Sequence, residues 1–460
     1  MFIAILGRQP DISLAELEAV YGVAQVRQVS AQVATVATDT IDLSILGGTT
    51  KIGKVITTLP LKRLRDADLF TDVSKDIVHH YIDAWRGVNH KITLGISAYS
   101  LDVPPRLVQK TGLILKSALK KHSVSLRLVP NDDTALSTAV SHNNKLGLSD
   151  NKVELMVVKT GTDIIIAESR GAQNITAYAR RDHGKPKRDA FVGMLPPKLA
   201  QIMINLALGT AAVEHPADPH FSEETVKSEE SRISAERLTK VPVALEKKSV
   251  LRGECVGRMG AVSDEDAEAV SGNFGNEDTT AYTPTILDPF CGTGTVLQEA
   301  LLQGYDVLAS DLSDKMIDYT QQNLDWIVRS HRHTGTILDI SQADATTHTW
   351  PHASAVDAVV CETYLGQPFS APPSPAKLKE VVGNCNHIIS SFLKNIHPQL
   401  RPGTPLCIAV PAWRDNDGRP THLPLTRDLA KLGYTLTRPP LVYSRPDQVV
   451  ARELLVLTVR

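Results

Sequence analysis

One turn in the chain has residue types suited to binding a small cationic molecule. It is Asp288-Pro-Phe-Cys-Gly-Thr-Gly-Thr295, which directly follows an apolar pair. Gly292 and Gly294 let the backbone pass close to a ligand, and a predicted helix begins at once. A dinucleotide fingerprint places its acid after three glycines, whereas this turn has its acid first and lacks the third glycine. Asp288 can therefore hold an ammonium group, directly or through water.

Two more acids follow the next two predicted strands. Asp311 follows the strand at 306–309, and Asp344 follows the strand at 336–340. There a carboxylate can accept both hydroxyls of a ribose and, one strand further on, an adenine amino group. Taken singly, Asp311 is equally well explained as a helix N-cap. An ordinary tight strand-to-helix turn is a much weaker alternative for 288–295, because an acid, a proline and paired glycines occur there together. Together the three acids favour S-adenosylmethionine, lined by Asp288, Phe290, Cys291, Gly292, Thr293, Gly294, Asp311 and Asp344.

A fourth predicted strand, 355–361, ends in an acid and an aromatic residue. An enzyme that methylates an exocyclic amine must hold an N–H of that amine while the nitrogen lone pair faces the methyl group. Glu362 is the predicted acceptor, and Tyr364 is predicted to stack on the base. The alternative is that Glu362 merely caps the element that follows. Cys361 ends a buried strand, so we expect it in the core.

Five basic residues lie close together before the helix predicted at 196–208. Two interpretations stay open: a solvated linker whose charge is incidental, and a strap that contacts the phosphates of a nucleic acid. The predicted RNA-contacting residues are Arg180, Arg181, Lys185, Lys187 and Arg188. Tyr178 adds one aromatic surface for stacking, which alone is weak support.

The candidate acids are positioned by an alternation of predicted strands and helices that begins at Thr285. Helices are predicted at 296–302, 314–330 and 376–397, and strands at 306–309, 336–340, 355–361, 405–410 and 454–459. This pattern is typical of a doubly wound α/β sheet, in which ligands bind beyond the carboxyl ends of the strands. All of the candidate acids follow such strand ends.

The first 170 residues have a different pattern. Strands at 2–7, 25–29 and 32–36 with a helix through Val20 form a small α+β unit, in which Ser13 and Glu16 have the spacing of a capping box. Helices at 72–86 and 105–121 and strands at 92–98, 125–129, 153–158 and 163–167 form a second α+β unit, whose last two strands make a hairpin. Much later, residues 210–284 are polar and acidic, and we expect them to be disordered.

Composition narrows the class of protein. At 460 residues, of which 42% are hydrophobic, the chain is long enough for two or three domains. A net charge of −2 argues against a surface that binds polyanions everywhere, so any nucleic-acid site must be local. Five widely spaced cysteines without a C-x-x-C pair favour a reduced protein and give no metal-ligand pattern. Without a signal peptide or a long apolar run, we expect a cytoplasmic protein with no membrane segment.

Several stretches in combination resemble the tRNA guanosine-N2 methyltransferases, which join a ferredoxin-like domain and a THUMP domain to a Rossmann-like methyltransferase domain. They include Leu46-Gly-Gly-Thr-Thr-Lys51, Lys185-Pro-Lys-Arg-Asp189, Gly193-Met-Leu-Pro-Pro-Lys-Leu-Ala200, the glycine turn at 288–295, and Ala451-Arg-Glu453. The resemblance implies an α/β fold class, with a Rossmann-like doubly wound methyltransferase domain preceded by α+β ferredoxin-like and THUMP domains. It implies a ferredoxin-like domain at 1–70, an RNA-binding THUMP domain at 71–170, a basic linker at 171–195 and the methyltransferase domain at 196–460, with the insertion at 210–284.

The same resemblance implies an activity. The THUMP domain would grip tRNA and deliver a guanosine whose exocyclic N2 accepts a methyl group from S-adenosylmethionine. The expected protein is a monomer, and the tRNA position and the need for a small activating protein subunit stay open. Where the family has Asp-Pro-Pro-Tyr, this chain has Glu362-Thr-Tyr-Leu365. Two alternatives therefore remain: a tRNA-binding protein that keeps the cofactor site without catalysis, and an adenine-N6 methyltransferase.

Overall fold

The structure, a computed structural model, describes residues 1–61, 65–189, 194–209, 282–369, 371–414, 420–445 and 448–460. Its strands form two sheets, one from the N-terminal part of the chain and one from the C-terminal part. The predicted disordered insertion at 210–284 lies outside the described residues, except for 282–284. Among the described residues, no helix combines the length and the apolar character needed to cross a membrane.

The N-terminal sheet has eight strands, ordered β2-β3-β1-β4-β8-β7-β5-β6. They are β1 (Phe2–Leu6), β2 (Val26–Ser30), β3 (Val33–Val36), β4 (Thr49–Pro60), β5 (Ile92–Tyr99), β6 (Leu126–Leu128), β7 (Lys152–Lys159) and β8 (Asp163–Ala172). The helices of this part are α1 (Pro10–Tyr21), α2 (Asp66–Ala84), α3 (Pro105–Lys120), α4 (Thr138–Asn143) and α5 (Ile175–His183). Apolar faces of α2 and α3 pack with β5 and β7 in one hydrophobic core.

The strand β4, which the sequence pattern does not predict, joins the two halves of this sheet. It pairs with β1 on one side and with β8 on the other. One of its buried side chains is Lys51, whose ammonium donates to the Glu154 carboxylate (2.6 Å) and to the Leu136 carbonyl (2.7 Å). Because a lysine at a buried position interrupts the apolar alternation, the pattern of hydrophobic residues does not predict this strand. The strands on either side of residue 70 thus share one continuous sheet.

The C-terminal sheet has nine strands, of which seven lie in the order β11-β10-β9-β12-β13-β17-β15. The strands are β9 (Thr285–Asp288), β10 (Asp306–Asp311), β11 (Ile337–Gln342), β12 (Ala358–Glu362), β13 (Pro405–Arg414), β14 (Pro420–Thr421), β15 (Tyr434–Leu436), β16 (Leu441–Tyr443) and β17 (Val450–Val459). β9 to β13 pair in parallel, and β17 is antiparallel to β13. The helices are α6 (Pro197–Leu208), α7 (Thr295–Leu302), α8 (Asp314–Ser330) and α9 (Pro375–Ile396).

Helices cover both faces of this sheet, as the doubly wound pattern predicts. α6, α7 and α8 contribute to one hydrophobic core, and α9 contributes to the other. The predicted fold class, a Rossmann-like α/β domain, is confirmed by this topology. The first core also contains Ile12 and Ala15 of α1, so the N-terminal part of the chain and the C-terminal sheet share buried apolar surface.

The predicted capping box at Ser13 and Glu16 is wrong. α1 begins earlier, at Pro10, so both residues lie inside the helix. The buried Glu16 carboxylate accepts instead from the backbone N–H groups of Gly47 and Gly48 and from the side-chain amide of Asn205, each at 2.8 Å. Burial raises the pKa of Glu16 to about 7, against the opposing effect of these donors. Glu16 therefore connects α1 to the turn before β4 and to α6.

Candidate active site

The glycine turn lies at the carboxyl end of β9 and opens α7. Gly292 and Gly294 have φ angles of 54° and 78°, in the left-handed region that favours glycine. Gly294 is also close-packed, because a Cβ atom there would lie 3.2 Å from the side chain of Thr320 on α8. The two glycines thus give the turn its shape, and the close approach of a ligand to the backbone there stays a prediction.

Asp288 is buried at the start of the turn. One of its carboxylate oxygens accepts from the backbone N–H of Phe290 at 3.1 Å. Burial raises the pKa of this carboxyl well above its usual range, and the nearby Asp311 and Glu362 carboxylates raise it further. A buried acid among other acids favours a cationic partner, because a positive charge relieves both the burial and the repulsion.

Asp311 lies beside the turn at the end of β10. Its two carboxylate oxygens accept from the backbone N–H groups of Gly292 and Ser313, each at 2.9 Å. The N-cap residue of α8 is Ser313 rather than Asp311. Because each oxygen retains a further lone pair, the carboxylate can still accept from ribose hydroxyls. The structure thus brings Asp288, Asp311 and the two glycines together.

Asp344 lies two residues beyond the end of β11, at the edge of the sheet. Its carboxylate accepts from the backbone N–H (2.9 Å) and the hydroxyl (2.7 Å) of Thr346, and these bonds lower its pKa. The side chain is exposed. Its contacts are therefore local, and its assignment to the adenine amino group stays a prediction.

Phe290 and Cys291 contribute packing to the turn. The Phe290 ring meets that of Phe392 edge to face, with centroids 5.0 Å apart. Cys291 is buried, and the hydroxyl of Thr320 lies 3.5 Å from its sulfur. Their side chains thus pack against other protein groups, and their predicted role in lining a cofactor stays a prediction.

Glu362 ends β12 and forms an ion pair that sequence reasoning missed. Nε of Arg452 on β17 donates to its Oε1 atom. Both side chains are largely buried, and burial raises the pKa of Glu362 while Arg452 opposes that rise. Arg452 lies within the stretch 451–453, which is part of the family resemblance, so that resemblance could have indicated it as a site residue.

Tyr364, the predicted stacking residue, has 45% of its surface exposed. The residue before it is buried and fixes the strand end: Thr363 donates to the Ala409 carbonyl from its backbone N–H (3.0 Å) and from its hydroxyl (2.9 Å). Thus the loop that carries the aromatic side chain is anchored to β13 by hydrogen bonds rather than by a proline pair.

The predicted basic linker contains a helix, α5, and two of its cations lie inside the protein. Arg181 on α5 makes two hydrogen bonds to the Glu299 carboxylate of α7, at 2.7 and 3.0 Å; the Glu299 side chain is buried and that of Arg181 is largely buried. Lys185 is 3% exposed and donates to the hydroxyls of Thr293 and Thr295, at 3.1 and 3.0 Å. Such buried, protein-bound cations do not fit the predicted contact with RNA phosphates. The prediction for these two residues is corrected accordingly.

The remaining basic residues lie nearer the surface. Arg180 and Arg188 are exposed, and Lys187 is partly buried with its ammonium 5.3 Å from the centre of the Tyr319 ring. The Lys187 backbone exchanges hydrogen bonds with the Asn323 amide of α8. An RNA contact by these three residues stays a prediction.

The fold and the site define the class of this part of the chain as a Rossmann-like methyltransferase domain. Residues 279–412 match the sequence model of the UPF0020 family, described as an RMKL-like methyltransferase domain. This match agrees with the S-adenosylmethionine cofactor that the three acids predict.

A curated relative makes the resemblance more specific. The chain is 32% identical over 131 residues to the tRNA (guanine(10)-N2)-dimethyltransferase of Methanothermobacter thermautotrophicus. The matched part amounts to 28% of this chain and 34% of the relative, so the chain spans about a third of the length of the curated relative it matches. Over this part, the predicted resemblance to tRNA guanosine-N2 methyltransferases is confirmed.

Two solved structures align with the whole chain. TrmN from Thermus thermophilus has a TM-score of 0.46 at 16% identity, covering 100% of this chain and 99% of that one. A possible methylase from Clostridium difficile 630 has a TM-score of 0.46 at 10% identity, covering 100% and 97%. The class assignment depends on the domain match and the site rather than on these distant likenesses.

Proposed function

We propose that this protein is an S-adenosylmethionine-dependent tRNA methyltransferase that transfers a methyl group to the exocyclic N2 of a guanosine. The main support for the proposal is the arrangement of side chains at the strand ends around the glycine turn. Asp288 and Asp311 lie beside two glycines with left-handed φ angles, and Glu362 ends the neighbouring strand. The 32% identity to a tRNA (guanine(10)-N2)-dimethyltransferase supports guanosine N2 as the acceptor.

The residues present fit the cofactor. The buried Asp288 suits the ammonium of its amino-acid end, and Asp311 suits the ribose hydroxyls. When bound, S-adenosylmethionine supplies an electrophilic methyl group. Asp344 is the proposed partner of the adenine amino group, and the backbone of 290–294 lines the site.

Glu362 is the proposed acceptor for the guanosine amine. Its carboxylate would hold an N–H of N2, which leaves the nitrogen lone pair free to face the methyl group. As the N–C bond formed and the bond between the methyl group and sulfur broke, the nitrogen would become positively charged, and Glu362 would then take the departing proton. A carboxyl whose pKa is raised by burial is a stronger base for this step than an exposed one. Arg452 favours the ionised form of Glu362 before the transfer, and Tyr364 would stack on the base.

RNA as the substrate is supported by one helix surface in particular. α3 contains four basic residues and no acidic residue, and all four basic side chains are exposed: Arg106, Lys110, Lys116 and Lys120. Leu113 and Ile114 on the same helix are 53% and 46% exposed. Phosphate contacts of this kind position an RNA without reading its sequence. α3 lies within residues 71–170, which we assign to the RNA-binding THUMP domain.

The remaining domain assignments are also proposals: a ferredoxin-like domain at 1–70, a linker at 171–195 and a methyltransferase domain at 196–460. We propose further that the protein acts as a monomer. Cofactor binding without turnover would indicate either a non-catalytic tRNA-binding protein or the need for a small activating subunit.

The test is transfer of labelled methyl from S-adenosylmethionine to unmodified tRNA, with the product nucleoside identified by mass spectrometry. We expect N2-methylguanosine from the wild type and a loss of about 100-fold or more from Glu362→Gln, which keeps the shape and removes the base. Glu380→Gln, the same change at an exposed carboxylate that pairs locally with Lys377, serves as a control and should keep wild-type turnover. N6-methyladenosine as product would contradict the proposal in favour of an adenine methyltransferase.

A further inference from the structure

The buried Lys185 reaches the glycine turn from the segment before α6. Its ammonium donates to the hydroxyls of Thr293 and Thr295, which lie on either side of Gly294. Asn323 of α8 adds to this arrangement by donating to the Thr293 carbonyl (2.8 Å) and to the Lys187 carbonyl (3.0 Å). The chain segment that contains Lys185 is thus fixed against the same turn that the cofactor would occupy.

The charge of Lys185 is incompletely balanced by the part of the chain that the structure describes. The contacts of its ammonium there are the two neutral hydroxyls. Two carboxylates act on it through space, Asp182 more strongly than Glu299, but its hydrogen bonds there go to the hydroxyls, and both oxygens of Glu299 are engaged by Arg181. Burial lowers the pKa of Lys185 to about 8, and nearby Arg188 contributes in the same direction. A buried ammonium has three N–H donors, and an anion is the partner that best stabilises it.

The turn itself also favours an anion. α7 begins at Thr295, and the N-terminus of a helix presents unpaired backbone N–H groups and a partial positive charge. The amino-acid end of the proposed cofactor has two charges, an ammonium and a carboxylate. Asp288 at the start of the turn suits the ammonium, so the carboxylate requires a positive group of its own.

We propose that Lys185 supplies this group and binds the carboxylate of the cofactor's amino-acid end. The inference rests on the proposed function and deepens it, because it adds to the cofactor site a residue from outside the strand ends of the C-terminal sheet. The competing explanation is that Lys185 only holds the turn in shape.

The test compares S-adenosylmethionine with its decarboxylated form, which keeps the adenosine, the sulfonium and the ammonium but lacks the carboxylate. Isothermal titration calorimetry on the full-length protein without RNA measures the dissociation constant of each. The variant is Lys185→Met, and Lys198→Met is the control, because Lys198 is a partly buried lysine that bonds Gln173 rather than the turn. Should Lys185→Met fail to fold, Lys185→Gln replaces it and can still hydrogen-bond to the threonine hydroxyls.

We expect Lys185→Met to weaken the binding of S-adenosylmethionine by about 10- to 100-fold, as for loss of a charged hydrogen bond. Its affinity for the decarboxylated form should stay within about twofold of the wild type. Equal weakening of both ligands would overturn the inference and make Lys185 a structural support of the turn. If the wild type bound neither ligand, the proposed function would itself fail, and the inference with it.

Discussion

The guanidinium of Arg452 on β17 donates to the carboxylate of Glu362 on β12, across the strand β13 that lies between them. Arg452 is 6% exposed, so its charge acts on Glu362 with little screening by water. A residue that is distant in the sequence therefore holds the proposed base in one orientation and favours its ionised form.

This pair predicts a pH dependence. Arg452 favours the ionised form of Glu362, so its removal should raise the pKa of that carboxyl further above its usual value. In Arg452→Gln, the acid limb of the kcat profile should move to higher pH, with turnover near neutral pH lower by about tenfold or more. Arg452→Lys keeps the charge and should move the limb less. An unchanged limb in Arg452→Gln would mean that Glu362 is not the titrating base.

Thr363 should act on turnover through the position of the strand end. Thr363→Val removes the hydroxyl that donates to the Ala409 carbonyl at 2.9 Å but keeps the shape of the side chain. We expect a stability loss of about 1 kcal/mol. kcat should fall severalfold, while the KM for the cofactor stays the same. Thr363→Ser retains the donor and should keep most of the activity. Steady-state kinetics and thermal unfolding measure both effects.

Gly294 should be required for cofactor binding. An alanine there adopts a left-handed φ at a cost of about 1 to 2 kcal/mol and also presses on Thr320. Gly87 is a matched control because its φ is 80° but a Cβ there meets nothing within 4 Å. Calorimetric titration with S-adenosylhomocysteine should show at least tenfold weaker binding for Gly294→Ala and wild-type binding for Gly87→Ala. Similar affinities for both variants would argue against a ligand at the turn.

The Arg181–Glu299 pair should stabilise the fold. Arg181→Met leaves a buried carboxylate without its partner, which typically costs about 3 to 5 kcal/mol. The double variant Arg181→Met with Glu299→Met should be less destabilised than the single one, because no unpaired charge remains. Urea unfolding measures the difference. If Arg181 instead contacted RNA, its variant would fold normally and lose tRNA affinity.

The basic surface of α3 should contribute to tRNA affinity. Lys110→Glu and Lys120→Glu together should weaken binding and reduce the slope of log affinity against log salt by about 1 for each lost phosphate contact. Lys431→Glu is the control, since Lys431 is exposed but pairs locally with Asp428. Filter binding at several salt concentrations gives the slopes. Equal slopes for the wild type and the double variant would place the RNA elsewhere.

Elements with regular apolar spacing could be predicted closely from the sequence. α8 was predicted at 314–330 and begins and ends at those residues, and the three acids follow their strands in the predicted order. β4 and α5 were missed because their buried faces contain charged residues, Lys51 and Arg181, whose partners lie far along the chain. A pattern of hydrophobic residues cannot predict that a charged residue is buried, because its burial depends on an opposite charge that only folding brings near.

The same limit applies to the site. The acids could be predicted because each is fixed by the end of its own strand. Arg452 and Lys185 could not, because their contacts to Glu362 and to the glycine turn connect segments about 90 and 110 residues apart. Lys185 also looked like a surface cation, since a lysine among other basic residues is usually exposed.

Because α1 packs into the core beneath the C-terminal sheet, the distance between the N-terminal part of the chain and that sheet is fixed. Ile12 and Ala15 share that core with α6, and Glu16 connects to Asn205 of α6, so the N-terminal part of the chain has little freedom to swing against the C-terminal sheet. If RNA contacts α3 while its target guanosine enters beside Glu362, the RNA must extend over the distance between α3 and Glu362, which the protein holds constant. The nucleotide chosen then depends on how the RNA folds rather than on the bases next to the target.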